Sequence, residues 1–430
     1  MVMAQMSESD ELDLVDGSGG TVTGIHVGNT PALAQLCIPA LGFEDGPQGP
    51  GDGNGNVTQL PSPVNSAATF DTSLEQQYGA VVGNEQAATG TNIDLGPTIN
   101  IVRDPRWGRG SETFGEDPYL SGQMAASFIT GEQSQGVMAQ VKHFAVYNQE
   151  TDRNTGLDSD MVNERAMQEI YFPAFQAAVN AGDESVMCAY SYPNGVPACQ
   201  NGYLLGVLNN QFGFQGFVTS DWSATHSSVA AAEAGEDIDM PGGDTLFASN
   251  LYQAIPSQLP RSYLDDMVER ILTEMFNDGL FTAYPTGSFA NAAHRAVALQ
   301  DAEEGTVLLK NSGSLLPLNA STVGSVAVIG PDASNDPIYS GGGSTGVDAN
   351  DPITPLAGIQ AAVPGGTTVT YTDGTTADGS SQAAAVSAAQ AAKVAVIFAD
   401  YTEGEGGDIT SIDLGTTMDD LIEAVAAAQP

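Results

Sequence analysis

Gly216-Phe217-Val218-Thr219-Ser220-Asp221-Trp222 is a short apolar run of strand formers that halts at an acid beside a large aromatic. The pattern predicts a buried strand with one carboxylate at its carboxyl end. In parallel α/β barrels that end of each strand carries the chemistry, which makes Asp221 a candidate catalytic residue. An Asp at such a place also caps the helix that follows, and the stretch by itself leaves both readings open.

Working outward, the same kind of unit recurs. Phe43-Glu44-Asp45-Gly46-Pro47 is strand-like and ends in an acidic turn. Asp94-Leu95-Gly96-Pro97 opens a strand-to-loop unit that runs through Ile99 to Val102. Val137 to Val141 predicts a strand ending in Lys142-His143-Phe144, and Ser185 to Ala189 one ending at Tyr190. Asp239-Met240-Pro241-Gly242 closes a further unit. Between them lie helical patterns, among them Tyr119 to Gln133, Val162 to Ala181 and Arg261 to Asp278. Strand and helix alternate every 30 to 45 residues, roughly, which is the rhythm of a parallel sheet wrapped by helices. The expected fold class is α/β: an N-terminal (β/α) TIM-type barrel over 1–280, a linker over 281–292 containing Pro285 and Gly287, and an α/β sandwich over 293–430. The sandwich reads as incomplete. Its strands are Val323 to Gly330, Val369 to Tyr371 and Val394 to Ala399, followed by an acidic loop from Asp400 to Asp408. The opening, Met1 to Val15, reads as a helix without a preceding cap, and no secretory signal pattern stands there.

Composition narrows the partners. The net charge of −42 arises from 53 acids against only 11 Lys and Arg, so the chain lacks the basic face that nucleic acid requires. No run of about 18 apolar residues predicts a membrane span. So acidic a surface suits an acidic or salty medium, where carboxylates are protonated or screened. Cys37, Cys188 and Cys199 match no zinc spacing, and Cys188 and Cys199 are near enough in sequence to close a small loop in an oxidising compartment. No metal site is expected, and no cofactor, since neither a P-loop nor a strand-bound GxGxxG occurs. The absence of GxSxG and HExxH sets aside serine-hydrolase and zinc-protease chemistry.

In so base-poor a chain, clustered bases are informative. Arg103, Arg106 and Arg109 fall within seven positions of Arg103-Asp104-Pro105-Arg106-Trp107-Gly108-Arg109. They either hold an oxygen-rich ligand or pair with Asp104, Glu112 and Glu116. Lys142 and His143 sit together at a predicted strand end, able to donate to hydroxyls or to steady a carboxylate.

Taken in order, Glu44-Asp45-Gly46-Pro47, Asp104-Pro105-Arg106-Trp107-Gly108-Arg109 with Gly115-Glu116-Asp117-Pro118, Lys142-His143-Phe144 and Ser220-Asp221-Trp222 make a chain that resembles glycoside hydrolase family 3. The resemblance implies a retaining, exo-acting β-glycosidase acting on an oligosaccharide or an aryl or alkyl β-glycoside, with glucose as the first expectation. A β-xylosidase, or a sugar-binding or inactive remnant, is the alternative. The N-acetylglucosaminidase branch, with its His-containing barrel loop, is not matched. Carried over residue by residue, the resemblance makes Asp221 the nucleophile and Glu405, in Gly404-Glu405-Gly406, the acid/base, with Glu403 as competitor. Asp45, Arg109, Lys142, His143, Tyr190 and Trp222 become substrate-binding residues. Many relatives carry an Arg where this chain has Gly51. Together with the acidic surface, the family implies a secreted or periplasmic location, with a cytoplasmic one as the alternative because no signal pattern is present.

Overall fold

The computed structural model describes residues 2–18, 26–51, 53–334, 339, 342–375, 380–400 and 402–429. Met1, Gly19 and Gly20 of the first glycine turn, Asp52, Ser340 and Gly341 of a Gly/Ser loop, Tyr401 and Pro430 lie outside the described residues. The chain forms two compact units: residues 1–306 with 340–350 and 403–408, and residues 307–339 with 351–402 and 409–430.

The first unit is built on a six-stranded sheet taken in chain order: β1 (Gly28–Asn29), β2 (Gly42–Asp45), β3 (Ile93–Leu95), β4 (Met138–Phe144), β5 (Ser185–Cys188) and β6 (Phe217–Ser220). β1 is antiparallel to β2, and every later neighbour is parallel. β4, β5 and β6 are buried along their whole length, as expected of strands covered on both faces. The sheet curls, and its ends meet through single bridges rather than strands. Thr219 pairs with Ile238, Asp239 with Asp16, and the amide of Ser18 donates to the carbonyl of Asn29 in β1. The ring is thus closed, but by a seam of isolated pairs. Pro241 explains part of this, since it has no N–H with which to extend a ladder, and Gly242 turns the chain away at φ 70°.

Helices cover the outside. Thr72–Thr89 begins under Asp71, whose side chain accepts from the amides of Ser73 and Leu74, and Pro118–Gln133 begins under Asp117 in the same way. These two helices meet backbone to backbone: a Cβ on Gly79 would stand 2.2 Å from the carbonyl oxygen of Phe128, so any side chain there forces them apart. Arg261–Asn277 turns Leu264, Val268, Ile271 and Met275 inward at helical spacing, onto a cluster that includes Phe43, Ile93 and Phe217. Full burial of a side chain such as Phe217 stabilises the unit by about 2–3 kcal/mol.

Several local expectations change. The first helix is Glu8–Val15 and does have a cap, a Ser7/Asp10 capping box. Ile99 to Val102 forms no strand, and Asp239 to Gly242 contributes only bridges. The helix read as Ala292 to Leu309 stops at Gly305.

In the second unit β7 (Ser325–Ile329) lies between β8 (Thr368–Thr372) and β9 (Val394–Ile397), all parallel. Successive residues of β7 serve opposite faces, as the period of two demands. Ala327 and Ile329 join Ala385, Leu421 and Val425, while Val326 and Val328 join Ala333, with Leu356 and Ile359 packed against them. Among the described residues no helix is long and apolar enough to cross a membrane.

Candidate active site

The carboxyl ends of β2, β4, β5 and β6 point into one cavity of about 430 Å³ in the first unit. Asp45, Arg109, Lys142, His143, Tyr190, Asp221, Trp222 and Glu405 all line it, so every site residue read from the sequence comes together there. The cavity size suits a small organic ligand.

Asp221 follows β6 directly. It does not cap the next helix, Ser228–Ala234, whose N-cap is Ser227. Its Oδ1 accepts from the amide of Trp222 at 2.7 Å, while Oδ2 is buried with no hydrogen-bond partner among the described residues. Nε2 of His143 stands 3.6 Å from that Oδ2. Nδ1 of His143 contacts Oδ1 of Asn100 at 3.0 Å. Burial, then Arg109, Lys142 and Arg153, push the His143 pKa well below its ordinary value, so the ring is neutral.

Arg109 is 2% exposed and makes a forked pair with Glu112, Nε to Oε2 and Nη2 to Oε1 both at 2.7 Å. Its third nitrogen, Nη1, lies 3.5 Å from Glu405. Lys142 bridges Asp45 at 3.5 Å and Glu112 at 3.8 Å. The alternative that the clustered arginines serve local pairing holds for Arg106, which is exposed and paired with Asp104 at 2.5 Å, whereas Arg103 donates to the Tyr171 hydroxyl.

Glu405 reaches the cavity because its loop is pinned on both sides. Asp408 accepts from the amides of Gly108, Glu150 and Thr151 and from the Thr151 hydroxyl. Glu403 accepts from the amide of Ser111 at 2.8 Å and does not line the cavity. Gly108 permits this approach, since a Cβ there would meet the carbonyl oxygen of Gly407 at 2.0 Å. The Glu405 carboxylate then accepts from Nη1 of Arg153 at 2.9 Å and from the amide and hydroxyl of Ser344 at 3.0 and 3.1 Å.

Arg153 and Ser344 were not singled out in the sequence. Arg153 also pairs with the buried Glu150 at 2.8 Å and stacks over the Tyr190 ring at 4.7 Å. Its scarcity as a base was the one available signal, because three of the 11 Lys and Arg residues line the cavity. Gly51 sits beside the site with its amide on the carbonyl of Asp45, and a Cβ would come 3.0 Å from the carbonyl oxygen of Gly346. The Ser344 loop thus stands close against Gly51.

The two central carboxyls are tuned in opposite directions. Burial raises Asp221 to about 6, and Glu405 adds to this while Arg109 opposes it. Burial also pushes Glu405 up, but Arg109, the Ser344 amide, Lys142 and Arg153 outweigh it and hold that carboxyl well below the usual range. Tyr190 is pushed far up by burial and then by Asp221, so its hydroxyl stays protonated and able to donate. Behind the site Cys188 and Cys199 form a disulfide, so the end of β5 is tied to the segment that follows Tyr190.

Comparison with known proteins matches residues 27–274 to the glycosyl hydrolase family 3 N-terminal domain and 306–430 to the C-terminal domain of the same family. A probable β-glucosidase L of Aspergillus terreus is 35% identical over 99% of this chain, which covers 62% of that protein. Thermostable β-glucosidase B of Acetivibrio thermocellus is 37% identical over 96% of the chain, covering 57% of its own length. The chain therefore spans about three fifths of these relatives. Among solved structures, the β-glucosidase DesR of Streptomyces venezuelae, in complex with D-glucose, superposes with a TM-score of 0.93 at 31% identity, covering 100% of this chain and 70% of that one. The β-glucosidase D2-BGL of Chaetomella raphigera gives 0.90 at 35%, covering 99% and 64%.

Proposed function

The chain belongs to glycosyl hydrolase family 3, and we propose that it is a retaining, exo-acting β-glucosidase that releases terminal β-D-glucosyl residues from an oligosaccharide or an aryl or alkyl glycoside. The observation that carries this reading is the convergence on one cavity of Oδ2 of Asp221, a carboxylate oxygen with no hydrogen-bond partner among the described residues, with Glu405 and the donors Arg109, Lys142 and Tyr190. In this reading residues 1–280 supply the nucleophile, 281–292 link, and 293–430 supply the loop that carries the acid/base.

Asp221 attacks the anomeric carbon through Oδ2 while Glu405 protonates the departing oxygen, and a covalent glycosyl-enzyme forms. Glu405, now ionised, takes a proton from the water that attacks the anomeric carbon, and the bond to Asp221 breaks with its electron pair returning to the carboxylate. Asp45 accepts from sugar hydroxyls, Lys142, Arg109, His143 and Tyr190 hold other oxygens, and Trp222 offers an apolar wall. Burial of Asp221 and the donors around Glu405 favour the proton on Asp221 rather than on Glu405. Sugar hydroxyls that engage Arg109 and Arg153 loosen their hold on Glu405 and raise its pKa, so that it can carry the proton. Binding thereby creates the acid that chemistry needs. The Cys188–Cys199 disulfide favours a secreted or periplasmic location, where such bonds persist.

The test is a leaving-group comparison. Glu405→Ala loses about 10²- to 10⁴-fold in kcat/KM on an alkyl β-glucoside, which needs the acid, and far less on 2,4-dinitrophenyl β-D-glucoside, which does not. Asp221→Asn abolishes both. Glu403→Ala leaves both near wild type. The same pattern from Glu403→Ala would reassign the acid, and undiminished turnover by Asp221→Asn would end the proposal. Preference for 4-nitrophenyl β-D-xyloside would make the enzyme a xylosidase, and no turnover in any wild-type assay would leave a sugar-binding remnant.

A further inference from the structure

At the seam, outside the lining of the catalytic cavity, three carboxylates converge. Asp16 follows the helix Glu8–Val15, Asp239 follows the bridge at Ile238, and Asp244 lies in the turn beyond Pro241. One oxygen from each lies within 4.8 Å of the others. Like charges this close are costly unless something neutralises them.

Acids are abundant on this chain, so clustering by itself means little. What distinguishes this group is Asp239, which is 2% exposed: the Thr225 and Ser220 side chains hydrogen-bond its carboxyl, yet Oδ2 is left with no hydrogen-bond partner among the described residues. The Gly243 amide bonds the Asp16 carboxyl, and its Oδ1 is buried with no hydrogen-bond partner among the described residues. A buried carboxylate oxygen normally finds a donor, and none of the three acids takes part in an ion pair among the described residues. Asp244 is exposed, which leaves an entry path.

We propose that Asp16, Asp239 and Asp244 form a site for a calcium-type divalent cation that clasps the seam closing the ring. Oxygen ligands around calcium stand about 2.3 to 2.6 Å from the ion, so two of them are separated by at most about 5 Å, and the three oxygens here lie within that limit. The location gives the ion a task. Asp16 and Asp239 are themselves a bridge of the seam, the amide of Gly17 donates to the carbonyl of Asp239, and the next residue, Met240, is bonded through its amide to the hydroxyl of Ser220, adjacent to Asp221. A cation here joins segments that otherwise meet through single pairs.

The experiment uses the full chain after treatment with EDTA and removal of the chelator, at neutral pH and constant ionic strength. Calcium chloride is titrated while the melting temperature is followed, with calorimetry giving stoichiometry. The expected result is a saturable rise of about 5 °C at about a hundredfold excess over the dissociation constant, with one ion per chain. Asp244→Asn and Asp16→Asn each keep an oxygen that can accept from the amides of Leu246 and Gly243, and each loses the saturable rise; either variant suffices if the other does not fold. No rise in the wild type, or an equal rise in wild type and variant, which general screening of the acidic surface gives, overturns the proposal.

Discussion

Glu75 offers a quantitative check on how this protein carries its acids. The side chain lies in the first turn of the helix Thr72–Thr89, fully buried, with the Ser66 hydroxyl donating to Oε2 and Oε1 unpartnered among the described residues. Burial raises its pKa from 4.5 to about 8, Ser66 opposes this, and the nearby Asp301 adds to it. The folded protein therefore keeps a proton that the unfolded chain releases above about pH 4.5. A raised folded pKa means that this contribution to stability is complete below the unfolded value and is lost as pH rises toward the folded one. Between about pH 5 and 8 the native state binds nearly one proton more, which costs roughly 3 to 4 kcal/mol over that interval. Glu75→Gln keeps the shape of the protonated acid and removes the titration. The measurement is urea unfolding followed by tryptophan fluorescence, and both Trp107 and Trp222 belong to the first unit, so the signal reports on it alone. Relative to wild type the variant gains roughly 3 kcal/mol between about pH 5 and 8. Parallel pH profiles for the two proteins would refute the assignment of Glu75 as a neutral buried acid.

Arg153→Met removes the guanidinium that holds Glu405 and leaves the buried Glu150 without its ion-pair partner, with only Trp107 Nε1 and the Gly406 amide donating to it. A loss of about 10- to 100-fold in kcat is expected, with the limb assigned to Glu405 moved to higher pH and partly restored by Arg153→Lys; an unshifted pH–rate profile would separate Arg153 from the acid/base. Raising KCl from about 0.1 to about 2 M should raise the melting temperature, because screening reduces the self-repulsion of a chain with net charge −42, and a flat or falling curve contradicts that account.

Sequence alone carried the local part of this protein. Gly216 to Trp222 reads as a strand ending in an acid because burial on both faces demands an unbroken apolar run and a parallel strand delivers chemistry at its carboxyl end. Asp45, Arg109, Lys142, His143 and Tyr190 were legible for the same reason, each marked by its place beside a strand end or by its scarcity. What chain order could not express was decided by contacts between distant segments. Arg153 meets Glu405 across 252 positions, and Ser344 meets it across 61. Glu405 is distinguished from Glu403 only because Ser111 and Gly108 pin the loop with one acid turned into the cavity and the other turned onto a backbone amide. Cys188 and Cys199 had a plausible spacing, but only the return of the chain beyond Tyr190 brings their sulfurs together. The closure of the ring at Asp16 and Asp239 left no periodic trace at all. A single bridge imposes no repeat on the residues around it, whereas a strand or a helix writes its period into every neighbour it buries.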